Sequence, residues 1–263
     1  MVALTVVDPM VAVEMGVWVQ VAVSVGVSVY VPVLVGVSHS TLDGAIELAG
    51  EAIASEAAGL LVMPPYFFRY DQMDVIQFYT QFASEVPRRV PIILYNIPAF
   101  TTEIAIETAR ALLSTGRFAG IKDSSGDYDY FAQLLAMKRE FNFTLLAGSD
   151  RIFARVRQEG ADGVVSGCAC ALPELVTALD RAILASDTAL VQRLDAQLQE
   201  FIDWIVRFPV PVGVKTAAAE RGVKTGPLAV PLPPGKDDIL VEFKKWFGAW
   251  LPTIPKPEPH RKK

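Results

Sequence analysis

The chain has 263 residues, 52% of them apolar, with 24 Lys and Arg against 29 Asp and Glu and a formal net charge of −5. That length fits one large α/β barrel or two small domains, and the apolar share allows a sizeable core. The charge balance argues against a nucleic-acid surface, which needs a basic stripe; a small molecule is the expected partner, though charge alone does not identify it.

The first element is anomalous. Valine fills every odd position from Val17 to Val37, and residues 15–37 carry no charge. A hydropathy window would flag a membrane span there. Strict period two is a strand pattern, however, and Gly16, Gly26, Pro32 and Gly36 suit a helix poorly. No basic region precedes the run, so neither a signal peptide nor a membrane span is expected. Val2–Val7 and part of Val17–Val29 are candidate strands, and the stretch before residue 31 resembles low-complexity sequence.

From residue 31 the pattern becomes regular. Strands are predicted at Val31–Val37, Leu60–Met63, Ile92–Asn96, Ala119–Lys122, Thr144–Ala147 and Gly163–Ser166. Helices are predicted between them at Thr41–Ala58, Asp74–Glu85, Glu103–Thr115, Tyr128–Glu140 and Asp150–Glu159, then near Pro173–Ser186 and Thr188–Phe208. Strands alternating with helices imply βα units on a parallel sheet. No Gly-rich phosphate loop follows the first strand, which favours a (β/α)8 TIM barrel over a doubly wound sheet. Three regions are expected: an atypical Val-rich segment over 1–30, barrel units over 31–187, and a C-terminal helical segment with a loose tail over 188–263. Another helix is expected near 238–250, with Lys215 and Lys224 on a surface connector before it.

The two cysteines, Cys168 and Cys170, are one residue apart and would share a strand face rather than bridge. With two histidines in the whole chain they form no zinc site of the usual spacing. Small buried hydrophobes in a reducing, cytoplasmic setting are expected.

A barrel carries its chemistry at the carboxyl ends of its strands. Tyr95 and Lys122 fall there, one βα unit apart. A desolvated lysine favours the neutral amine that can attack a ketone, and a neighbouring phenol can shuttle protons through carbinolamine and imine. On spacing alone the alternative stays open: a lysine snorkelling to solvent beside Asp123 and a tyrosine that merely packs.

Five words, in order, resemble the N-acetylneuraminate lyase and dihydrodipicolinate synthase superfamily of Schiff-base, pyruvate-type aldolases. They are Met63-Pro64-Pro65-Tyr66-Phe67, Tyr95-Asn96-Ile97-Pro98-Ala99, and Gly120 to Asp127 reading GIKDSSGD. Ala147-Gly148-Ser149-Asp150 and Gly160 to Gly167 reading GADGVVSG complete the set. The resemblance runs from about residue 31 to 250. It implies that Lys122 forms an imine with a 2-oxo acid, that Tyr95 relays protons, and that Ser124, Gly148, Asp150, Val165 and Gly167 line the substrate site. It implies no cofactor or metal beyond the covalent lysine imine. The implied partners are a 2-oxo acid and an aldehyde, with a homo-oligomer, dimer or tetramer, by analogy. Asp150 has a second reading, as the N-cap of the helix that follows.

Three departures qualify the likeness. Dihydrodipicolinate synthases usually continue the tyrosine word through Gly-Arg-Thr, where this chain has Ala99-Phe100-Thr101. They offer a second tyrosine where this chain has Phe67. Phe100 is therefore expected to line the site where an arginine would hold a second carboxylate, which favours a lyase or aldolase for neutral or hydroxylated 2-oxo acids. The family's Gly-Thr-Thr-Gly-Glu word, which holds the pyruvate carboxylate, has no counterpart near the start, so either the barrel opens abnormally or the natural start differs. The alternatives are a 4-hydroxy-tetrahydrodipicolinate synthase and a non-catalytic relative without the carboxylate loop.

Overall fold

The computed structural model describes residues 32–256 and, as backbone alone, three earlier strands: β1 (Thr5–Val7), β2 (Val19–Ala22) and β3 (Ser28–Val31). β2 and β3 pair antiparallel, with Val19 opposite Val31. Where a second parallel barrel strand was expected, the valine alternation therefore makes a hairpin, the pairing a short connection imposes. The expected single strand Val31–Val37 is split, because Pro32 lacks a ladder donor. β4 covers only Leu34–Gly36.

From β4 the chain follows the expected alternation. The strands are β5 (Gly59–Val62), β6 (Ile92–Asn96), β7 (Gly120–Asp123), β8 (Thr144–Ala147) and β9 (Gly163–Val165). Each pairs in parallel with the next, β4 through β9. Between them lie α1 (Leu42–Ala54), α2 (Gln72–Glu85), α3 (Ile106–Leu113), α4 (Tyr128–Met137) and α5 (Phe153–Gln158). Parallel strands covered on both faces read as continuous apolar runs, and Ile92, Ile93 and Leu94 in β6 are at most 1% exposed. Burying each such side chain is worth about 1.5–3 kcal/mol.

Helix starts follow their caps. The Asp71 carboxylate accepts from the Asp74 amide and the Asp74 carboxylate accepts from the Asp71 amide, a capping box that opens α2. Asp127 accepts from the amides of Asp129 and Tyr130 and opens α4.

The C-terminal helices are α6 (Pro173–Leu184), α7 (Thr188–Ile205), α8 (Val212–Glu220) and α9 (Lys236–Trp250). α8 was not expected: Lys215 lies inside it rather than on a connector, with its ammonium donating to the Pro227 carbonyl. Phe201, Phe243, Phe247 and Trp250 pack ring to ring, and the indoles of Trp246 and Trp250 both donate to Glu200. The start of the expected loose tail is held: Ile254 is 5% exposed. Residues 257–263 lie outside the described part. Among the described residues, no helix is long and apolar enough to cross a membrane.

The chain divides into two compact units. One holds Val7–Ser149 and Glu159–Val164; the other holds Asp150–Gln158 and Val165–Lys263. Tyr95, Phe100, Lys122, Ser124 and Gly148 fall in the first, and Asp150, Val165 and Gly167 in the second.

Candidate active site

The tips of β6 and β7 bring the two expected reactive residues together. Tyr95 and Lys122 are register partners on neighbouring parallel strands. Lys122 is only 7% exposed, and its Nζ lies 3.9 Å from the centroid of the Tyr95 ring. The lysine therefore does not reach out to solvent. An amine over a tyrosine face is held by the ring quadrupole when it is charged. Tyr95 offers the amine its ring, while its hydroxyl faces the Ser124 hydroxyl at 3.5 Å.

Gly148 closes this site from β8. A Cβ built there would stand 1.9 Å from Ser124 Oγ and 2.8 Å from Lys122 Cε. No side chain fits without displacing both, so a glycine is required by close approach rather than by backbone conformation. The Gly148 amide donates to the Asp123 carbonyl at 2.7 Å, which ties the tip of β8 to that of β7.

One rung above Tyr95 and Lys122 lie two polar residues that the sequence reading left unassigned. Asn96 and Asp123 are register partners, and both are fully buried. The Asn96 amide donates to Asp123 Oδ1 at 2.7 Å, and Asn96 Oδ1 accepts from the Ile104 amide at 2.9 Å. Asp123 Oδ2 accepts from the Ser125 hydroxyl at 2.8 Å. Burial pushes the Asp123 carboxyl above its usual range, against the bonds from Ser125 and Asn96 that favour its charged form. Tyr95 and Lys122 are each followed directly by a short polar residue, but only the strand register shows that those two residues meet.

The turn after β6 carries Phe100, which is 65% exposed. Arg69 was also missed. Its guanidinium donates to the carbonyls of Pro98 and Thr101 and fastens that turn, alongside an antiparallel bridge between Tyr66 and Thr101. Phe67, on the turn after β5, is 86% exposed.

In the other unit Asp150 is not a helix cap. Its carboxylate accepts from the Ser166 hydroxyl and from the Cys168 amide, the latter at 3.2 Å. Burial raises its carboxyl above the usual range, opposed by those same bonds. The Cys168 thiol is likewise raised, first by burial and then by the Asp150 charge. Val165 is buried, and Gly167 has Asp150 Oδ2 at 3.8 Å from where its Cβ would be. Among the described residues, no group of three or more His, Cys, Asp or Glu side chains could hold a metal ion.

A parallel α/β sheet with a buried lysine beside a half-buried tyrosine at adjacent carboxyl-terminal strand ends is the class that fold and site define. The chain belongs to the dihydrodipicolinate synthetase family, whose model matches residues 15–249. It is 34% identical over 191 residues to an uncharacterized DapA-like lyase of Halobacterium salinarum, covering 72% of this chain and 61% of that one. It is 30% identical over 191 residues to the 4-hydroxy-tetrahydrodipicolinate synthase of Methanococcoides burtonii, covering 72% of this chain and 65% of the relative. The chain thus spans less than two thirds of these relatives. Among solved structures it is similar to the chloride-inhibited dihydrodipicolinate synthase of Acinetobacter baumannii complexed with pyruvate. That likeness has a TM-score of 0.74 and 25% identity, over 83% of this chain and 75% of the other.

Proposed function

We propose that this protein is a Schiff-base-forming lyase or aldolase acting on pyruvate or another 2-oxo acid, built on a (β/α)8 barrel. The observation that carries the reading is the buried Lys122 amine, 3.9 Å over the Tyr95 ring at adjacent strand tips. Family membership and the pyruvate complex of the Acinetobacter enzyme support it.

The neutral Lys122 amine attacks the C2 carbonyl to give a carbinolamine. Protonation of the hydroxyl lets water leave, and an iminium remains. In the cleavage direction, the electron pair of the breaking carbon–carbon bond flows into the iminium to give an enamine, and the departing fragment becomes an aldehyde as its hydroxyl proton is removed. Protonation and hydrolysis then release the 2-oxo acid and regenerate the amine. Tyr95, with Ser124 facing its hydroxyl, relays these protons. The imine is itself the electron sink, so the sequence as written uses no cofactor. Gly148 leaves room for the bound acid. Asp150, Val165 and Gly167 are assigned to the substrate by their place in the family's words alone.

Phe100 favours aldehyde partners without a second carboxylate. Arg69, which reaches the same turn, is already engaged by main-chain carbonyls. The names of the relatives favour a second reading, 4-hydroxy-tetrahydrodipicolinate synthase. Borohydride reduction in the presence of pyruvate tests the shared chemistry: one adduct is expected, on the peptide holding Gly120–Asp127. An adduct on Lys138, Lys215 or Lys244 instead would sink the assignment. Absence of any adduct would favour a non-catalytic relative. Turnover of aspartate semialdehyde rivalling that of hydroxylated aldehydes would favour the synthase.

A further inference from the structure

Asn96 and Asp123 take no part in the chemistry just written, yet they are fully buried and bonded at nearly every polar atom. Burying a carboxylate is costly, and a buried polar network is worth keeping where it specifies one arrangement. The arrangement here is the last rung of the β6–β7 ladder. The rung below it carries Tyr95 and Lys122.

The pair also reaches the site through its main chain. The Asn96 carbonyl accepts from the Ser124 amide at 2.8 Å, and the Asp123 carbonyl accepts from the Gly148 amide at 2.7 Å. Ser124 faces the Tyr95 hydroxyl, and Gly148 backs onto Lys122. On the far side, Asn96 Oδ1 holds the Ile104 amide, so the turn carrying Phe100 is anchored at its end. Ser125 links Asp123 to the start of α4: its hydroxyl donates to the carboxylate and accepts from the Asp127 amide at 3.1 Å. The carboxylate's bonds run to Asn96 and Ser125, which sets it up to hold the frame around the lysine.

We infer that Asn96 and Asp123 are positioning residues: their amide–carboxylate pair locks the tips of β6 and β7 in register and so holds Lys122 over Tyr95. This rests on the reading of Lys122 and Tyr95 as the reacting pair. The geometry makes an exchange of the two side chains informative. Asn96→Asp alone sets two carboxylates face to face. In the double variant Asn96→Asp/Asp123→Asn, the new aspartate accepts from the Ile104 amide and from the new asparagine, whose carbonyl oxygen accepts from Ser125. The bonds to Ile104, between the two side chains and from the Ser125 hydroxyl each have a counterpart; only the 3.3 Å bond from the Ser125 amide to Asp123 Oδ1 loses its acceptor.

The experiment measures two things on the full chain. One is amide hydrogen exchange at Ile104, Ser124 and Gly148; the other is the rate of pyruvate adduct formation at Lys122 under borohydride. Asn96→Asp is expected to lower protection at those amides and to slow adduct formation by about 10–100-fold, the scale of an ångström of misplacement. The exchange double variant is expected to recover both. Asp123→Asn alone should cost far less, because an amide can satisfy Asn96 and Ser125. Unchanged protection in Asn96→Asp, failure of the double variant to recover protection, or loss of the adduct in Asp123→Asn with protection intact would each overturn the inference. If the unaltered protein traps no pyruvate, the functional reading fails and the exchange data alone decide the positioning claim.

Discussion

Asp123 is fully buried and Asp150 half-buried, both beside candidate substrate residues, and both are pushed upward in pKa first by desolvation. Their partners differ. Asp123 is met by a side-chain amide from the neighbouring strand and a hydroxyl from the following turn. Asp150 is met by a hydroxyl and a main-chain amide, both from Ser166–Cys168. In the first region the proposed roles fall on separate rungs: Tyr95 and Lys122 on one, Asn96 and Asp123 on the next. In the second, one carboxylate both braces its loop and is the group assigned to substrate hydroxyls. A side chain with two duties should show both when it is changed.

The sharpest break is at the first region. Lys122→Ala should abolish the pyruvate adduct, whereas Asp150→Asn should retain it at a measurable rate; mass mapping after borohydride reads both. Tyr95→Phe should slow turnover by about 10²–10⁴-fold while leaving the lysine able to form an adduct, the range of a general acid–base group. An unchanged rate would remove Tyr95 from the relay.

A smaller loss is expected from Gly148→Ala. The added methyl meets Ser124 Oγ and Lys122 Cε inside van der Waals distance. Adduct formation should fall by about 10–100-fold, and stability by about 1–3 kcal/mol in a urea titration. A variant with normal kinetics would show that the lysine slot tolerates a methyl group.

Asp150→Asn should raise KM for hydroxylated aldehydes more than it lowers the rate of pyruvate adduct formation. Its stability should carry the smallest signature, one of slope. A carboxyl raised in the folded state contributes stability below its unfolded pKa of about 3.9 and loses it as the pH rises through the folded value. The asparagine variant has no such loss. The difference in melting temperature should therefore move in favour of Asp150→Asn as the pH is raised from about 4 to 7. A difference that moves the other way would mean that the carboxylate is stabilised, not penalised, by its surroundings.

The parallel units were legible because each strand is a short apolar run bounded by glycine, proline or polar residues. The helices between them began and ended within a few residues of expectation. α8 was not legible. Its small residues give little amphipathic contrast, and Gly213 is there for closeness: a Cβ would come within 2.7 Å of Ile205 Cβ. The placement of Tyr95 and Lys122 on neighbouring strand tips was readable from spacing and family words. The Asn96–Asp123 pair was not, since it joins residues 27 apart and exists only once the register is known. Of the two readings of Asp150, the cap gives way to bonds with Ser166 and Cys168, because a cap motif and a cross-loop acceptor look alike in one dimension.

The alternation along β7 bears on heredity. Successive side chains of a strand face opposite ways, so Lys122 and Asp123 occupy separate layers. A codon gained or lost in the turn after this strand changes a loop's length. The same event within Gly120–Asp123 would trade the amine for the carboxylate. The order lysine-then-aspartate along this strand is thus a fixed phase, since a slip of one residue exchanges the two faces.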